Sequence, residues 1–306
     1  MLTRGEETLA CAICFSEDVA PKFNITSQFL NRANHYDICQ CRCCGFHFAY
    51  GCADDKTLEK VYNSAFHSTS QQLATVGPEG TLDRYSRRFP VVSNALERAD
   101  WLHSMGVKGK LLDVGAGRGF FVKAASSFFD AEGIELSAAA EEFGKRLQIS
   151  LMSGDFVECD FGKKKFDVIT LWDVLASMRE PHQVMERVKQ LLNPGGLLIF
   201  TVPRVTALVP RVLGRYWPLW IPPVNLGYYS EASIEALLHR HGFVIDKMVC
   251  RGKRVAVSFV VTKLGRTLKQ PWLENAARLI PDQWQLRLNL RDIISVVAVI
   301  NESTRG

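Results

Sequence analysis

LLDVGAGRGFF, residues 111–121, reads as a buried strand, a turn built on Gly115, Gly117 and Gly119, and the start of a helix. That order lets the backbone pass close beneath a ligand at the carboxyl end of a strand, where open α/β sheets bind ligands. A glycine-rich turn alone is a weak signal, so its surroundings decide what the ligand is. Glu135 closes the next strand, AEGIE, and is placed to accept both ribose hydroxyls of a nucleoside. Gly154-Asp155 follows the third strand, where a carboxylate takes the exocyclic amine of an adenine.

The glycine spacing separates two nucleotide chemistries. Dinucleotide folds use G-x-G-x-x-G because a pyrophosphate sits on the helix N-terminus. Here the pattern is G-x-G-x-G, with Phe120 where a third glycine of the other motif would stand and Asp113 two residues ahead. An acidic group beside the loop repels phosphate and suits an amino group. The pattern therefore favours a nucleoside that carries an amino acid.

Outward from this turn, strands and helices alternate. VVSNALERADWLHSM is an amphipathic helix, GFFVKAASSFF and SAAAEEFGKRLQ are helices, FDVITL is a strand, PHQVMERVKQLL a helix starting on Pro181, and GLLIFTV a strand. Strict alternation predicts a parallel sheet covered on both faces. SEASIEALLHRHGF is a helix capped by Ser230, and VIDKMV and IISVVAVI supply two further strands. Asp167, which opens a strand, reads as a turn cap.

Towards the N-terminus, CAIC (11–14) and CQCRCCGFHF (39–48) hold six of the nine cysteines. The N-terminus, MLTRGEETLA, lacks an apolar signal region, and no stretch is long and apolar enough to span a membrane. A cytoplasmic setting with reduced thiols is expected, and the odd count also argues against a disulfide framework. Cys11 with Cys14 and Cys41 with Cys44 form two C-x-x-C turns, the ligand set of a tetrahedral structural zinc site, with Gly45 supplying the turn. Cys39 and Cys43 are the surplus; they form the other pair that can be drawn, and buried thiols without metal are the plain alternative. Zinc would staple about 50 residues too few to hold a core alone. With a net charge of +5 and no lysine/arginine stripe interleaved with aromatics, nucleic acid is not the expected partner.

With these residues in hand, the chain resembles class I S-adenosylmethionine-dependent methyltransferases, and within them a bacterial branch with an N-terminal zinc ribbon associated with sugar and surface-polysaccharide biosynthesis. The ribbon, LLDVGAGRGFFVKAA, GIELS, FDVITLWDVL, LLNPGGLLIFTVP, the YYS-initiated helix and NLRDIISVVAV carry the resemblance. It implies an α/β fold: a Rossmann-like seven-stranded sheet with helices on both faces, plus the small ribbon. The implied organisation is a zinc ribbon at 1–53, a linker or helical segment at 54–86 and a methyltransferase domain at 87–306. Within that domain, about 204–229 is an acceptor-binding insertion and about 251–290 a basic amphipathic excursion.

The resemblance also implies roles. Asp113, Gly115 and Gly117 line the methionine end of the cofactor, with Ala116, Gly119 and Leu136 also among the cofactor-binding residues. Glu135 holds the ribose, Asp155 and Phe156 the adenine, and Trp172-Asp173 closes the pocket. Two family histidines are replaced, one in DVLAS (Ala176, Ser177) and one at Asn225. Asp173 is then the candidate proton acceptor, with Tyr228 and Tyr229 orienting the acceptor. His182, in the first turn of a helix, reads as an exposed polar residue.

The expected function is O-methylation of a glycosyl or lipid-linked glycosyl small molecule. The alternatives are an RNA methyltransferase and a catalytically silent cofactor-binding protein, the latter motivated by the lost histidines. The excursion reads either as a solvated cover or as a contact with the inner membrane surface. The acceptor, the methylated atom and the oligomeric state stay open at this level.

Overall fold

The computed structural model describes residues 3–4, 7–26, 35–51, 90–267, 270–281 and 283–301. The expected linker at 54–86 lies outside them. A first sheet contains β1 (Val19–Thr26), β2 (His35–Cys41) and β3 (His47–Tyr50), antiparallel throughout. The larger unit then runs α1 (Val91–His103), β4 (Lys110–Val114), α2 (Phe120–Ala125), β5 (Asp130–Glu135), α3 (Ala140–Leu147), β6 (Ser150–Ser153), β7 (Phe166–Leu171), α4 (Pro181–Leu191) and β8 (Leu192–Pro203). It continues with α5 (Leu208–Leu213), β9 (Gly227–Tyr228), α6 (Glu231–Arg240), β10 (Phe243–Val249), β11 (Lys253–Ala256), α7 (Val257–Thr267), α8 (Pro271–Ala277), β12 (Gln285–Leu288) and β13 (Ile293–Ile300).

Seven strands form one sheet in the order β10-β13-β8-β7-β4-β5-β6. β4, the strand of the opening motif, lies between β5 and β7 and is parallel to both. The apolar run of KLLDV follows from this: its last four residues are buried, as in a strand covered on both faces. Helices α1 and α2 pack on one face through Ala99, Leu102, Phe121 and Ala125, and α4 and α6 cover the other through Val184, Val188, Ile234 and Leu237.

The sheet departs from the parallel expectation in one strand, because β13 runs antiparallel to both β8 and β10. β10 ends at the carboxyl edge, where the excursion begins, and the chain re-enters from that edge without crossing the sheet. An entry of that kind yields an antiparallel strand.

The N-terminal sheet is not a free appendage. β9 pairs with β3, placing Gly227 opposite Phe48 and Tyr228 opposite His47, so a strand from the larger unit completes the ribbon sheet. The capping box of α6 adds a second tie. Ser230 Oγ accepts from Ser233 N (3.0 Å) and donates to the Cys44 carbonyl (2.6 Å), joining the helix start to the second cysteine turn. His182, expected as an exposed polar residue, is a third tie. Its Nε2 donates to the Ile13 carbonyl (3.0 Å), its Nδ1 meets His241 Nε2 (2.8 Å), and Phe15 stacks on its ring. The helix N-terminus thus presents a histidine to the first cysteine turn rather than to solvent.

Candidate active site and cysteine cluster

Because β4, β5, β6 and β7 are parallel, their carboxyl ends share one edge, and the loops leaving them meet there. The first loop is shaped by glycine. Gly115 has φ +68°, and a Cβ there would stand 2.4 Å from Val174 Cγ2, so no other residue fits the turn. A Cβ at Gly117 would meet nothing within 4 Å, which marks open space above the loop. Gly115 N and Ala116 N both donate to the Ile134 carbonyl, and Gly119 caps α2 in a left-handed conformation.

Glu135 ends β5 beside this loop and accepts from Gly117 N (2.8 Å) and Ser137 N (3.3 Å). Leu136 follows it, half-exposed. Beyond β6, Asp155 is exposed and its Oδ1 accepts from Val157 N (2.7 Å), while Phe156 is buried against Phe161. Asp113 faces Gly133 on one side and Thr170 on the other. It is 3% exposed, and Thr170 Oγ1 donates to its Oδ1 at 2.6 Å. Burial pushes its carboxyl up to about 7, against the Thr170 hydrogen bond and the field of Arg98. A buried carboxylate with no cation in contact among the described residues, next to an open glycine loop and a strand-end glutamate, is a donor set that fits a nucleoside carrying an ammonium group.

Trp172 and Asp173 leave β7 at the same edge. Trp172 is buried, stacked under Arg98 (4.6 Å) and edge-on to Phe121, and its Nε1 has no hydrogen-bond partner among the described residues. Asp173 has φ +63°, a strained conformation for a non-glycine residue. Its Oδ2 is shared by Arg98 (2.7 Å) and Lys253 (2.8 Å), and its Oδ1 accepts from Thr201 Oγ1 (2.9 Å). Partial desolvation works against its charge, but Lys253 and Arg98 outweigh that and hold the carboxyl well below the usual range. A carboxylate so held is a weak proton acceptor. Arg98, Lys253 and Thr201 have no distinguishing sequence pattern. Arg98 sits on the polar face of an amphipathic helix, and Lys253 belongs to the excursion read as a cover.

The cationic surroundings extend further. Arg254 and Arg287 pair with Glu97, and Arg251 lies over Trp101 with a backbone carbonyl, Glu97 O, as its hydrogen-bond acceptor. A small pocket of about 30 Å³ lies among Arg98, Arg251, Lys253, Trp172 and Thr201. The excursion therefore covers this mouth with its β11–β12 hairpin, placing Arg254 N and the Arg254 carbonyl against Asn94 of α1.

Tyr228 and Tyr229, expected to orient an acceptor, do not lie open at this edge. Both are at most 1% exposed: Tyr228 packs on Trp217 and Trp220 and donates to the Asn225 carbonyl, and Tyr229 packs on Phe46 of the ribbon. The segments that carry the two replaced histidines are joined, since Leu226 N donates to the Ala176 carbonyl at 2.7 Å.

In the ribbon, the Sγ atoms of Cys11, Cys14, Cys41 and Cys44 all lie within 4.8 Å of one another. Cys11 and Cys44 are 3.7 Å apart and Cys14 and Cys41 3.5 Å apart, close to the roughly 3.8 Å edge of a tetrahedron with ~2.3 Å zinc–sulfur bonds. Ile13 N donates to Cys11 Sγ, and the Cys44 hydrogen bond pulls the Cys11 thiol down to about 5. Gly45 has φ +73°. The residues fit a zinc ion. Cys39 is fully buried away from this set and Cys43 is exposed.

Among known proteins, residues 86–247 match the family described as "Methyltransferase domain". A sarcosine/dimethylglycine N-methyltransferase of Aphanothece halophytica is 29% identical over 112 residues, 33% of this chain and 40% of the relative, so the match spans two fifths of that protein's length. Among solved structures, magnesium protoporphyrin IX methyltransferase from Synechocystis PCC 6803 is 15% identical, covering 81% of this chain and all of its own, with a TM-score of 0.49. The N-methyltransferase NodS of Bradyrhizobium japonicum WM9 is 14% identical, covering 72% and 92%, with a TM-score of 0.44. None of these likenesses identifies an acceptor.

Proposed function

Because the chain belongs to the methyltransferase-domain family, we propose that it transfers a methyl group from S-adenosylmethionine to a hydroxyl of a glycosyl or lipid-linked glycosyl small molecule. When bound, S-adenosylmethionine supplies an electrophilic methyl group. The chain's own residues bind, orient and exclude water. Gly115–Gly119 and Asp113 receive the amino-acid end, Glu135 and Leu136 the ribose, and Asp155 and Phe156 the adenine. In this reading residues 87–306 are the transferase unit, and the Cys11, Cys14, Cys41 and Cys44 set holds structural zinc.

One observation carries the choice of a hydroxyl acceptor. The mouth beside Trp172 gathers Arg98, Arg251, Lys253, Arg254 and Arg287 around Glu97 and Asp173. A protonated amine is repelled there and would have to shed both water and a proton, whereas a neutral or anionic acceptor enters without that cost. Among the described residues this mouth holds no base free of ion pairs, so in this reading acceleration comes from alignment and from excluding water.

The test pairs calorimetry with methyl-transfer assays on hydroxyl and amine acceptors. The expected result is micromolar binding of S-adenosylmethionine and S-adenosylhomocysteine, no NAD binding, and transfer to hydroxyl acceptors. Glu135→Ala should weaken both sulfur ligands by about 1.5–3 kcal/mol, the range for a hydrogen bond to a charged group. Tight NAD binding, transfer to amines alone, or binding without turnover on a broad panel would each overturn the reading.

The pH dependence of binding follows from Asp113. Its folded pKa of about 7 lies above the ordinary value of 3.8, so its contribution to stability is fully present below about pH 4. That contribution is lost as pH rises through about 7, a penalty of roughly 4 kcal/mol at ~1.36 kcal/mol per unit. A ligand ammonium favours the ionised form, so affinity should rise about tenfold per unit up to pH 7. It should fall again above about pH 8, where an α-amino group loses its proton. Titrations across pH 5.5–8.5 should show this bell, and Asp113→Asn should flatten its acid limb; a pH-independent wild-type affinity would count against Asp113 as the ammonium partner.

A further inference from the structure

A second cleft, of about 450 Å³, lies between the ribbon sheet and the segment that follows β8. Lys22 and Gln40 come to it from β1 and β2, His47 from β3, and Thr206, Arg211 and Trp220 from the insertion. Val205 and Thr206 follow the end of β8 after Arg204, so the cleft opens at the same carboxyl edge as the cofactor loop. β8 is two strands from β4, about 10 Å at ~4.8 Å per strand. The volume falls in the range of small-molecule sites.

The chemistry of the walls is specific. Lys22 and Arg211 line the cleft, and among the described residues no carboxylate lines it. Glu231 accepts from Thr206 Oγ1 and is ion-paired with Arg204. The cleft is thus positive and unneutralised among the described residues, which suits an anion. His47 adds a different requirement. It is 6% exposed, and its Nδ1 faces the Gly45 carbonyl at 3.0 Å; a carbonyl only accepts, so Nδ1 carries the proton. Burial pushes the ring's pKa down to about 4, so at neutral pH Nε2 is a lone-pair acceptor. An acceptor nitrogen takes a hydroxyl and rejects phosphate oxygens. The half-buried Gln40 amide offers both a donor and an acceptor beside it.

From this juxtaposition of two cations, a buried acceptor nitrogen and an aromatic wall, we infer that the ribbon cleft binds a glycosyl phosphate, its hydroxyls towards His47 and its phosphate towards Lys22 and Arg211. This rests on the methyltransferase reading and deepens it: the cleft holds the charged part of the acceptor while another part reaches the cofactor. It also gives the ribbon a role in recognition, since half of the named wall comes from β1, β2 and β3. The phosphate has two possible sources, a soluble sugar phosphate or a lipid-linked one. The helix that carries Arg211 exposes Leu208 (74%) and Val212 (71%), with Tyr216 (76%) just beyond it, an apolar rim beside the cleft that suits a lipid tail.

The experiment measures binding to the full chain of the 1-phosphates of glucose, galactose, mannose and N-acetylglucosamine, with the free sugars and inorganic pyrophosphate as controls. A parallel arm uses phosphatidylcholine vesicles carrying polyprenyl-phosphate-linked versions of the same sugars. Lys22 and Arg211 are both exposed, so Lys22→Gln with Arg211→Gln should leave the fold intact. The expected result is saturable binding of at least one sugar phosphate, at least tenfold weaker in the double variant, with S-adenosylmethionine affinity unchanged. Binding in the soluble arm assigns a soluble source, and binding on vesicles alone assigns the lipid-linked one. No binding in either arm, equal binding by the double variant, or equal binding of free sugar or pyrophosphate overturns the inference. S-adenosylmethionine is titrated into the same samples, so failure of the cleft and failure of the methyltransferase reading give separate results.

Discussion

Cys41→Ser should empty the ribbon of metal and loosen it from the rest of the chain. The four Sγ atoms of Cys11, Cys14, Cys41 and Cys44 lie at the spacing of a zinc tetrahedron, and three of the four residues are buried. Structural zinc supplies folding free energy directly, on the order of 10–16 kcal/mol in small zinc modules, so loss of one ligand is not a local event. The Cys44 carbonyl caps onto Ser230 Oγ, Ile13 accepts from His182, and Phe46 packs on Tyr229, so a loosened ribbon releases the starts of α4 and α6. Elemental analysis of the wild type should give one zinc per chain, and the serine variant close to none, with a lower melting temperature. Cys39→Ser is the control. Cys39 is fully buried and burial pushes its thiol up to about 11, so a serine there places a hydroxyl in an apolar site. That should cost about 1–3 kcal/mol of stability while the zinc stays. Metal lost from Cys39→Ser but kept by Cys41→Ser would reverse the ligand assignment, and a wild type without metal would leave only buried thiols.

What the sequence made legible has a common physical basis. The glycine loop is a local backbone requirement, and Gly115 has room for nothing larger. Glu135 and Asp155 could be placed because parallel strands put all their carboxyl ends on one edge, so position in a strand translates into position at a site. The two cysteine turns are local as well. The features that depend on distant pairings were not legible. Arg98 and Lys253 reach Asp173 from 75 and 80 residues away, and neither looks different from a solvated cation in its own segment. The burial of Tyr228 and Tyr229 depends on β9 joining β3 across some 180 residues, which no local pattern announces. The reversed direction of β13 depends on where the excursion returns to the sheet. Asp173 follows the end of β7, a place strand order alone predicts, but its partners, which decide its chemistry, carry no local signal.

Those partners set the expected outcome for Asp173→Asn, which should lower turnover about a hundredfold or more while stability changes little. The carboxylate is the common anchor of α1 through Arg98, of β11 through Lys253 and of β8 through Thr201. Asparagine keeps the size and tolerates the positive φ of this position, so the backbone turn should survive. What it removes is the charge: Arg98 and Lys253 then face each other across a neutral amide, and the hairpin over the mouth loses its latch. A displacement of about 1 Å in such a positioning element costs on the order of 10²-fold in rate. The ion pairs themselves are partly exposed, with the Asp173 side chain 42% accessible, so each should contribute only about 0.2–1 kcal/mol to stability. The pH profile separates positioning from proton abstraction. A carboxyl held well below its usual range stays ionised through the assay range, so an anchoring Asp173 gives no acid limb of its own in the wild-type kcat/KM, and Asp173→Asn lowers the curve without changing its shape. If Asp173 takes the proton instead, its carboxyl must titrate within the assay range, so an acid limb in the wild type that disappears in the variant, with cofactor affinity unchanged, would overturn both the latch and the low pKa. If neither protein turns over any acceptor while both bind S-adenosylmethionine, Ala176→Glu with Ser177→His becomes the deciding variant: activity gained there would mean that the replaced histidine, not the Asp173 latch, limits the site.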